Sequence, residues 1–207
     1  MARFADRTAA GIELGRLVGS RGVEGTAVVL ALPRGGVPVA VPVAAELGAP
    51  LDVLVVRKLR TPGQPELAFG AVASGGVRWL HSERRYLDDA TVERLTAQEQ
   101  AEVDERDRRY RRGREPIDVT GRTAVLVDDG IATGSTVRAA VEAARLRGAR
   151  RVIVAAPVAP PDAVALLERV ADRVDIVEMR RGFGAVSMLY DDFREVPDDA
   201  VAGMLTS

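Results

Sequence analysis

The chain has 207 residues, a formal net charge of −1 at pH 7 and 47% hydrophobic residues, which indicates one globular domain of ordinary to large size. The near-neutral charge gives no bulk electrostatic reason to expect binding to DNA or to a membrane. There is no Cys and the single His is His81, so thiolate metal sites, Cys nucleophiles and multi-His metal sites are excluded.

The amino-terminal residues contain no apolar run after their basic residues, which predicts that no signal peptide is present. No run of about 18 apolar residues occurs, which predicts that no transmembrane helix is present. The expected location is therefore the cytoplasm.

Short β-branched runs alternate with helical stretches along the chain. Strands are predicted at 26–32, 51–58, 123–129, 151–157 and 174–179, helices at 38–48, 83–113, 136–149 and 161–171, and a β-hairpin at 66–80. Near-continuous Val, Ile and Leu strands between helices are typical of a doubly wound α/β fold, a mostly parallel sheet with helices on both faces. Ligands of such folds bind at the carboxyl ends of the strands.

We predict a single domain over residues 1–207, with its core at about 21–179. A small cap is predicted from about 1–20 and 180–207, and a helical insertion at about 83–113. The insertion has few apolar positions, so a largely solvated helix is expected, either as part of the cap or as a homodimer contact. Its arginines are interleaved with or preceded by acids and are expected to form a solvated face: Arg106, Arg108, Arg109, Arg111, Arg112 and Arg114.

The strongest motif is AVLVDDGIATGSTV at 124–137, a buried strand that ends in two acids before a small-residue loop. The loop consists of Ala132, Thr133, Gly134, Ser135 and Thr136. It opens a helix, where free N–H groups and the helix dipole favour a phosphate. Asp128 and Asp129 cannot hold the same phosphate and suit sugar hydroxyls or a metal-bound sugar. The motif therefore predicts a site for ribose and phosphate.

Other phosphate-binding loops do not fit this segment. A Walker A loop is excluded because no Lys follows the glycine, and the dinucleotide fingerprint G-x-G-x-x-G is absent. An ordinary capped helix after a buried strand would explain one hydroxyl residue but not two adjacent acids.

Residues 124–137 resemble the phosphoribosyl pyrophosphate (PRPP) signature of type I phosphoribosyltransferases, with Gly130 in place of the family's more frequent aliphatic residue. The resemblance implies that Asp128 and Asp129 contact the ribose and that residues 132–136 bind the 5′-phosphate. It also implies Mg²⁺ on the pyrophosphate, which the two acids contact indirectly through water or ribose.

Two further loops follow strands of the predicted sheet. Arg34, Gly35 and Gly36 offer a guanidinium and backbone amides to an anion, although Pro-Arg-Gly-Gly is also an ordinary turn. Similarity to the family's pyrophosphate loop implies a cis bond between Pro33 and Arg34. Arg57 and Lys58, the latter the only lysine, end a strand and are either solvated charges or, as in the family, pyrophosphate ligands.

A flexible loop with the composition of a lid follows this pair at 61–65. Family members specific for 6-oxopurines have an Asp where this chain has Ala132, so the resemblance disfavours those acceptors. Phe183 and Tyr190 are candidates to stack on an acceptor base, or else to close a small local core.

The resemblance as a whole implies an enzyme that transfers a 5-phosphoribosyl group from Mg-PRPP to a nitrogenous acceptor, expected to be a nucleobase, and releases pyrophosphate. Arg34, Lys58, Asp128 and Asp129 are then its catalytic residues. The alternative is a regulatory protein of the same fold that senses PRPP or a nucleotide without catalysis.

Overall fold

The computed structural model describes residues 3–80 and 87–205, without the side chains of residues 65 and 66. His81 and the start of the predicted helical insertion lie outside the described residues. In these ranges the elements are α1 (Arg7–Ser20), β1 (Ala27–Ala31), α2 (Gly36–Leu47), β2 (Leu51–Val53), β3 (Val56–Thr61), β4 (Gln64–Ala73), β5 (Val77–Leu80), α3 (Asp89–Arg111), β6 (Thr123–Val127), α4 (Ser135–Leu146), β7 (Arg151–Ala159), α5 (Pro161–Leu167), β8 (Arg173–Met179), a 3₁₀ turn (Val186–Leu189) and α6 (Asp198–Met204).

The main sheet has five parallel strands in the order β2-β1-β6-β7-β8. The chain leaves β1 through α2 towards one edge and leaves β6 through α4 towards the other. The two central strands therefore diverge at a topological switch point, where doubly wound folds bind their ligands. This arrangement confirms the predicted fold class.

Successive residues of the central strands belong to two separate cores, as the alternation of side chains in a strand requires. Val29 and Ala31 of β1 pack with α1 and α2, whereas Val28 and Leu30 pack with α4 on the opposite face. All four side chains are fully buried.

The predicted strand at 51–58 is wrong as one element, because the chain changes sheets within it. β2 joins the main sheet, whereas β3 pairs with β4 in a separate antiparallel sheet whose third strand is β5. Leu54 and Val55 connect the two and are both buried, Leu54 in the core on the α4 face and Val55 in the other. The apolar run reflects burial at a junction and not a continuous strand.

The amino-terminal segment, expected in the cap, forms a helix that covers the sheet. Leu14 and Val18 of α1 are fully buried in the same core as α2. The two helices approach closely at Gly11, where an added Cβ would lie 2.4 Å from the Val39 carbonyl oxygen. Only the start of α1 reaches the carboxyl ends of the strands, where it carries Arg7.

The helical insertion is observed as α3, which is exposed except for a stripe that contains Val92, Val103 and Tyr110. The expectation of a solvated Arg111 is wrong: its side chain is 4% exposed and donates to both carboxylate oxygens of Asp52, at 2.6 and 2.8 Å. A buried arginine needs such a partner, and Asp52 of β2 supplies it. This ion pair fixes the end of α3 to the edge of the sheet.

Among the helices that the structure describes, none is both long enough and apolar enough to span a membrane.

Candidate functional site

The ends of β1 and β6 bring two of the predicted loops together. Ala31 and Val127 are paired in register, so the loop after β1 lies beside the loop after β6. A Cβ on Gly36 would lie 2.5 Å from the Val127 carbonyl oxygen, and one on Gly35 would lie 1.9 Å from Oδ2 of Asp129. A side chain at position 36 would therefore meet backbone atoms, and one at position 35 would displace the Asp129 carboxylate. The cis bond between Pro33 and Arg34 is also observed, as predicted.

Asp128 and Asp129 form a largely buried carboxylate pair at the end of β6. Burial, together with the neighbouring charge of Asp129, raises the pKa of Asp128 to about 8. Burial also raises the pKa of Asp129, against the opposing effect of Arg7. The buried pair therefore keeps a proton at neutral pH in the absence of a bound cation.

Arg7 is the cation that faces this pair, although no local sequence pattern around it indicates a role in the site. Its Nε donates to Oδ2 of Asp129 at 2.8 Å, and the two side chains are 11% and 15% exposed. A second nitrogen donates to the Arg194 carbonyl oxygen at 2.9 Å, and the guanidinium lies 3.7 Å from the centre of the Phe193 ring. Arg7 thus joins the start of α1, the acids and the carboxyl-terminal segment.

The predicted phosphate loop and Lys58 are in contact. Gly134 has φ = 74°, a left-handed conformation that glycine adopts without strain, and α4 begins at the next residue. The Ser135 hydroxyl lies 3.0 Å from the Thr133 hydroxyl and accepts a hydrogen bond of 2.9 Å from Lys58 Nζ. Hydroxyls, a helix amino terminus and an ammonium group thus converge as an anion site requires.

Arg34 and Arg57, the other predicted pyrophosphate ligands, are held by carboxylates. Arg34 forms an ion pair with Glu195 and lies 3.8 Å from Asp198. Arg57 forms an ion pair with Glu99 of α3. Both cations lie near the strand ends, but each is engaged by an acid from outside the three loops.

The two residues predicted as candidates to stack on an acceptor base, Tyr190 and Phe183, both lie at one small local core, Tyr190 inside it and Phe183 at its edge. Tyr190 is 5% exposed and packs between the rings of Phe4 and Phe193, with centroids 5.5 and 5.0 Å away. Its hydroxyl donates to the Asp129 carbonyl oxygen at 2.5 Å, and burial raises its pKa. Of the two predicted alternatives, Tyr190 therefore takes the second and closes a small local core. Phe183 is partly buried against that core.

The departure from the family pattern at Gly130 has a structural counterpart in the carboxyl-terminal segment. A Cβ on Gly130 would lie 2.4 Å from Cγ1 of Val186. The 3₁₀ turn that contains Val186 therefore packs directly on the signature loop, in space that an aliphatic side chain would fill.

Comparison with known proteins identifies the class. Residues 20–191 match the family model for the phosphoribosyl transferase domain, so the chain belongs to that family. Two Mycobacterium tuberculosis proteins, from strains H37Rv and CDC 1551, are each 47% identical to it over 209 residues and are named "Putative phosphoribosyl transferase". The alignments cover 99% of this chain, which spans about half (47%) of the length of those relatives.

A solved structure supports the same arrangement of elements. The crystal structure of TT1426 from Thermus thermophilus is 45% identical in sequence and superposes with a TM-score of 0.91, covering 98% of this chain and 97% of that one. Its name states no activity.

Proposed function

We propose that this chain is a phosphoribosyltransferase that uses PRPP with Mg²⁺ and transfers the 5-phosphoribosyl group to a nitrogenous acceptor. The observation that carries the proposal is the convergence of Asp128 and Asp129 with the loop at 132–136, which Lys58 contacts at Ser135. Carboxylates suit ribose hydroxyls, and the helix amino terminus suits the 5′-phosphate.

Two carboxylates alone do not form a metal site, and no cluster of three or more His, Cys, Asp or Glu side chains able to hold a metal occurs in the part of the chain that the structure describes. Mg²⁺ takes few protein ligands and keeps water and phosphate oxygens. Burial, together with the charge of Asp129, raises the pKa of Asp128, and a cation shared with the substrate would favour the ionised form of the pair. Asp128 and Asp129 would hold Mg²⁺ indirectly, and the ion would neutralise charge on the pyrophosphate.

The reaction needs positioning and charge stabilisation more than acid–base chemistry. The bond between the anomeric carbon and the pyrophosphate oxygen breaks, and its electron pair leaves with pyrophosphate. A bond forms between the acceptor nitrogen and the anomeric carbon, and the proton of that nitrogen passes to solvent. Asp128 and Asp129 hold the ribose, whereas Lys58 and Arg34 stabilise the leaving group. Ala132 supplies no carboxylate to the acceptor, which disfavours 6-oxopurines.

Thermal unfolding with and without Mg-PRPP tests the proposal. PRPP at 100 times its dissociation constant should stabilise the protein by about 2.7 kcal/mol, or roughly 5–10 °C in midpoint for a domain of this size. The Asp128→Asn/Asp129→Asn variant keeps the side-chain shapes and should lose the shift. A wild-type protein that shows no shift at millimolar PRPP would contradict the proposal.

Pyrophosphate release separates the enzyme from the regulatory protein. A panel of nucleobases is added to the protein with Mg-PRPP, and pyrophosphate is measured with time. Release with one acceptor supports the transferase. Binding of PRPP without release with any acceptor would assign the sensing role instead.

A further inference from the structure

Helix α3, for which the sequence left two roles open, is joined to the carboxyl-terminal helix α6 beside the loop after β1. The Tyr110 side chain of α3 is buried, and its hydroxyl donates to Oδ1 of Asp198, the first residue of α6, at 2.9 Å. Arg109 of α3 pairs with the other oxygen, Oδ2, also at 2.9 Å. Burial and the hydrogen bond to Asp198 raise the pKa of Tyr110 to about 12, so the phenol remains a donor at neutral pH. One helix thus holds both oxygens of the Asp198 carboxylate.

Asp198 also faces Arg34, but at a longer distance. Its Oδ1 lies 3.8 Å from Nη1 of Arg34, which is close enough for electrostatic attraction and too far for a hydrogen bond. The hydrogen bonds that Asp198 accepts from Tyr110 and Arg109 oppose its movement towards Arg34. Asp198 therefore attracts the guanidinium group without accepting a hydrogen bond from it.

Glu195 contacts Arg34 in a different way. It forms a direct ion pair with Nη2 of Arg34, and its side chain is 75% exposed. Glu195 also lines a cavity of about 390 Å³ between the start of α1 and α6, which gives its side chain room to turn away. Exposed ion pairs contribute little free energy, so a bound anion can displace Glu195. Asp198, in contrast, stays where α3 holds it.

We propose that Tyr110 is a positioning residue that holds the Asp198 carboxylate back from Arg34, so that Nη1 of Arg34 stays available to an anionic group of the substrate. The inference rests on the proposed function, because that function assigns Arg34 to the leaving pyrophosphate. It gives α3 a role at the site within a single chain. Tyr110 acts only through Asp198 and Arg34 and does not itself contact the substrate.

Calorimetric titration with inorganic pyrophosphate tests this restraint. Tyr110→Phe removes only the hydroxyl, so Asp198 can close on Arg34, and pyrophosphate should bind roughly two- to fivefold more weakly than to the wild type. Adding Asp198→Asn removes the charge that would close on Arg34, so the double variant should bind at least as tightly as the wild type. A purely structural role of Tyr110 predicts instead that the double variant binds as weakly as Tyr110→Phe.

Asp199→Asn is the matched control for the change in charge. Asp199 is the next residue of α6, is 82% exposed and pairs with Arg112 at 3.6 Å. Combined with Tyr110→Phe, it should leave pyrophosphate binding as weak as in Tyr110→Phe alone. The inference is overturned if Tyr110→Phe binds pyrophosphate as the wild type does. It is equally overturned if Asp199→Asn restores binding as well as Asp198→Asn does, because the overall charge would then explain the rescue.

A measurement without ligand separates this inference from the proposed function. Urea unfolding gives the energetic coupling between Arg34→Gln and Asp198→Asn, once with Tyr110 present and once in the Tyr110→Phe protein. The coupling should be larger in the Tyr110→Phe protein, because the two charges then meet directly. A larger coupling in a protein that binds no PRPP supports the restraint and contradicts the proposed function. PRPP binding together with an unchanged coupling supports the function and contradicts the restraint.

Discussion

Arg7 Nε donates to Asp129 Oδ2 at 2.8 Å, across 122 positions of the sequence. The arginine belongs to the first turn of α1, and the acid belongs to the signature loop. Both side chains are largely buried, so each charged group interacts with the other in place of the water that it would contact at the surface. The amino-terminal helix therefore supports the acid that is proposed to hold the ribose.

Replacing Arg7 with Met should destabilise the protein by about 3–5 kcal/mol at pH 8, because Asp129 would then be a buried charge without its partner. The decrease in the free energy of unfolding should be smaller at pH 5.5. Without Arg7 the pKa of Asp129 rises further above its unfolded value, so the protonated form becomes favoured as the pH falls. Urea unfolding at the two pH values measures both effects.

Arg3→Met is the matched control for this prediction. Arg3 pairs with Glu13 and Glu178 at the surface, where such pairs contribute about 0–1 kcal/mol. Equal destabilisation by the two variants, or a loss for Arg7→Met that does not change with pH, would show that Asp129 does not depend on Arg7.

The raised pKa of Asp128 predicts that stability falls as the pH rises. The unfolded carboxyl ionises near its ordinary value, whereas the folded one stays protonated until about pH 8. The contribution of Asp128 to the free energy of unfolding is therefore fully present below the pKa of the unfolded carboxyl. As the pH rises it falls by up to about 1.4 kcal/mol per pH unit, and above about pH 8 it falls no further.

Asp128→Asn removes this titration and serves as the reference. The difference in unfolding free energy between wild type and variant is measured in urea at pH 5, 6, 7, 8 and 9 without ligand. It should shrink or change sign as the pH rises and become constant at the top of the range. A difference that is constant from pH 5 to pH 9 would place the Asp128 pKa in the folded protein near its ordinary value.

Glu195→Gln should strengthen binding of pyrophosphate by roughly two- to fivefold, because it releases Arg34 from an exposed ion pair that contributes up to about 1 kcal/mol. Glu24→Gln is the control, since its pair with Arg151 is matched in exposure and lies at the opposite ends of the strands. Calorimetric titration compares the two variants. Unchanged affinity in Glu195→Gln would mean that Arg34 does not contact the anion.

Gly130→Ala should destabilise the protein by about 1–3 kcal/mol, because the new methyl group would overlap Cγ1 of Val186. Val186→Ala removes the overlapping methyls, so the double variant should be more stable than the two single effects predict, with a coupling of about 0.5–3 kcal/mol. Chemical unfolding of the wild type, the two single variants and the double variant provides the four free energies of this double-mutant cycle.

Gly184→Ala controls for glycine replacement in the same carboxyl-terminal segment, where the nearest atom to a new Cβ is Sδ of Met188 at 3.6 Å. It should change stability by less than about 0.5 kcal/mol. If the double variant shows purely additive effects, Val186 does not pack on the signature loop as described.

The sequence alone determined the fold class and the positions of the three loops. Strands such as Thr123–Val127 are continuous apolar runs because a parallel sheet buries both faces, so their pattern is local and readable. The loop at 132–136 could also be found from a local pattern, because its glycine and hydroxyl residues lie within a few positions of one another at the start of a helix. The expected cis bond before Arg34 followed from the family resemblance and not from any local pattern.

Only the tertiary structure decided which distant side chains meet. Arg34 and Glu195 are 161 positions apart, and Arg111 and Asp52 are 59 apart, yet each pair is in contact. An arginine in a charged helix has the same local pattern whether it faces solvent, like Arg108, or a buried aspartate, like Arg111. Ion pairing depends on where the chain returns in space, and that is set by packing of whole elements rather than by neighbouring residues.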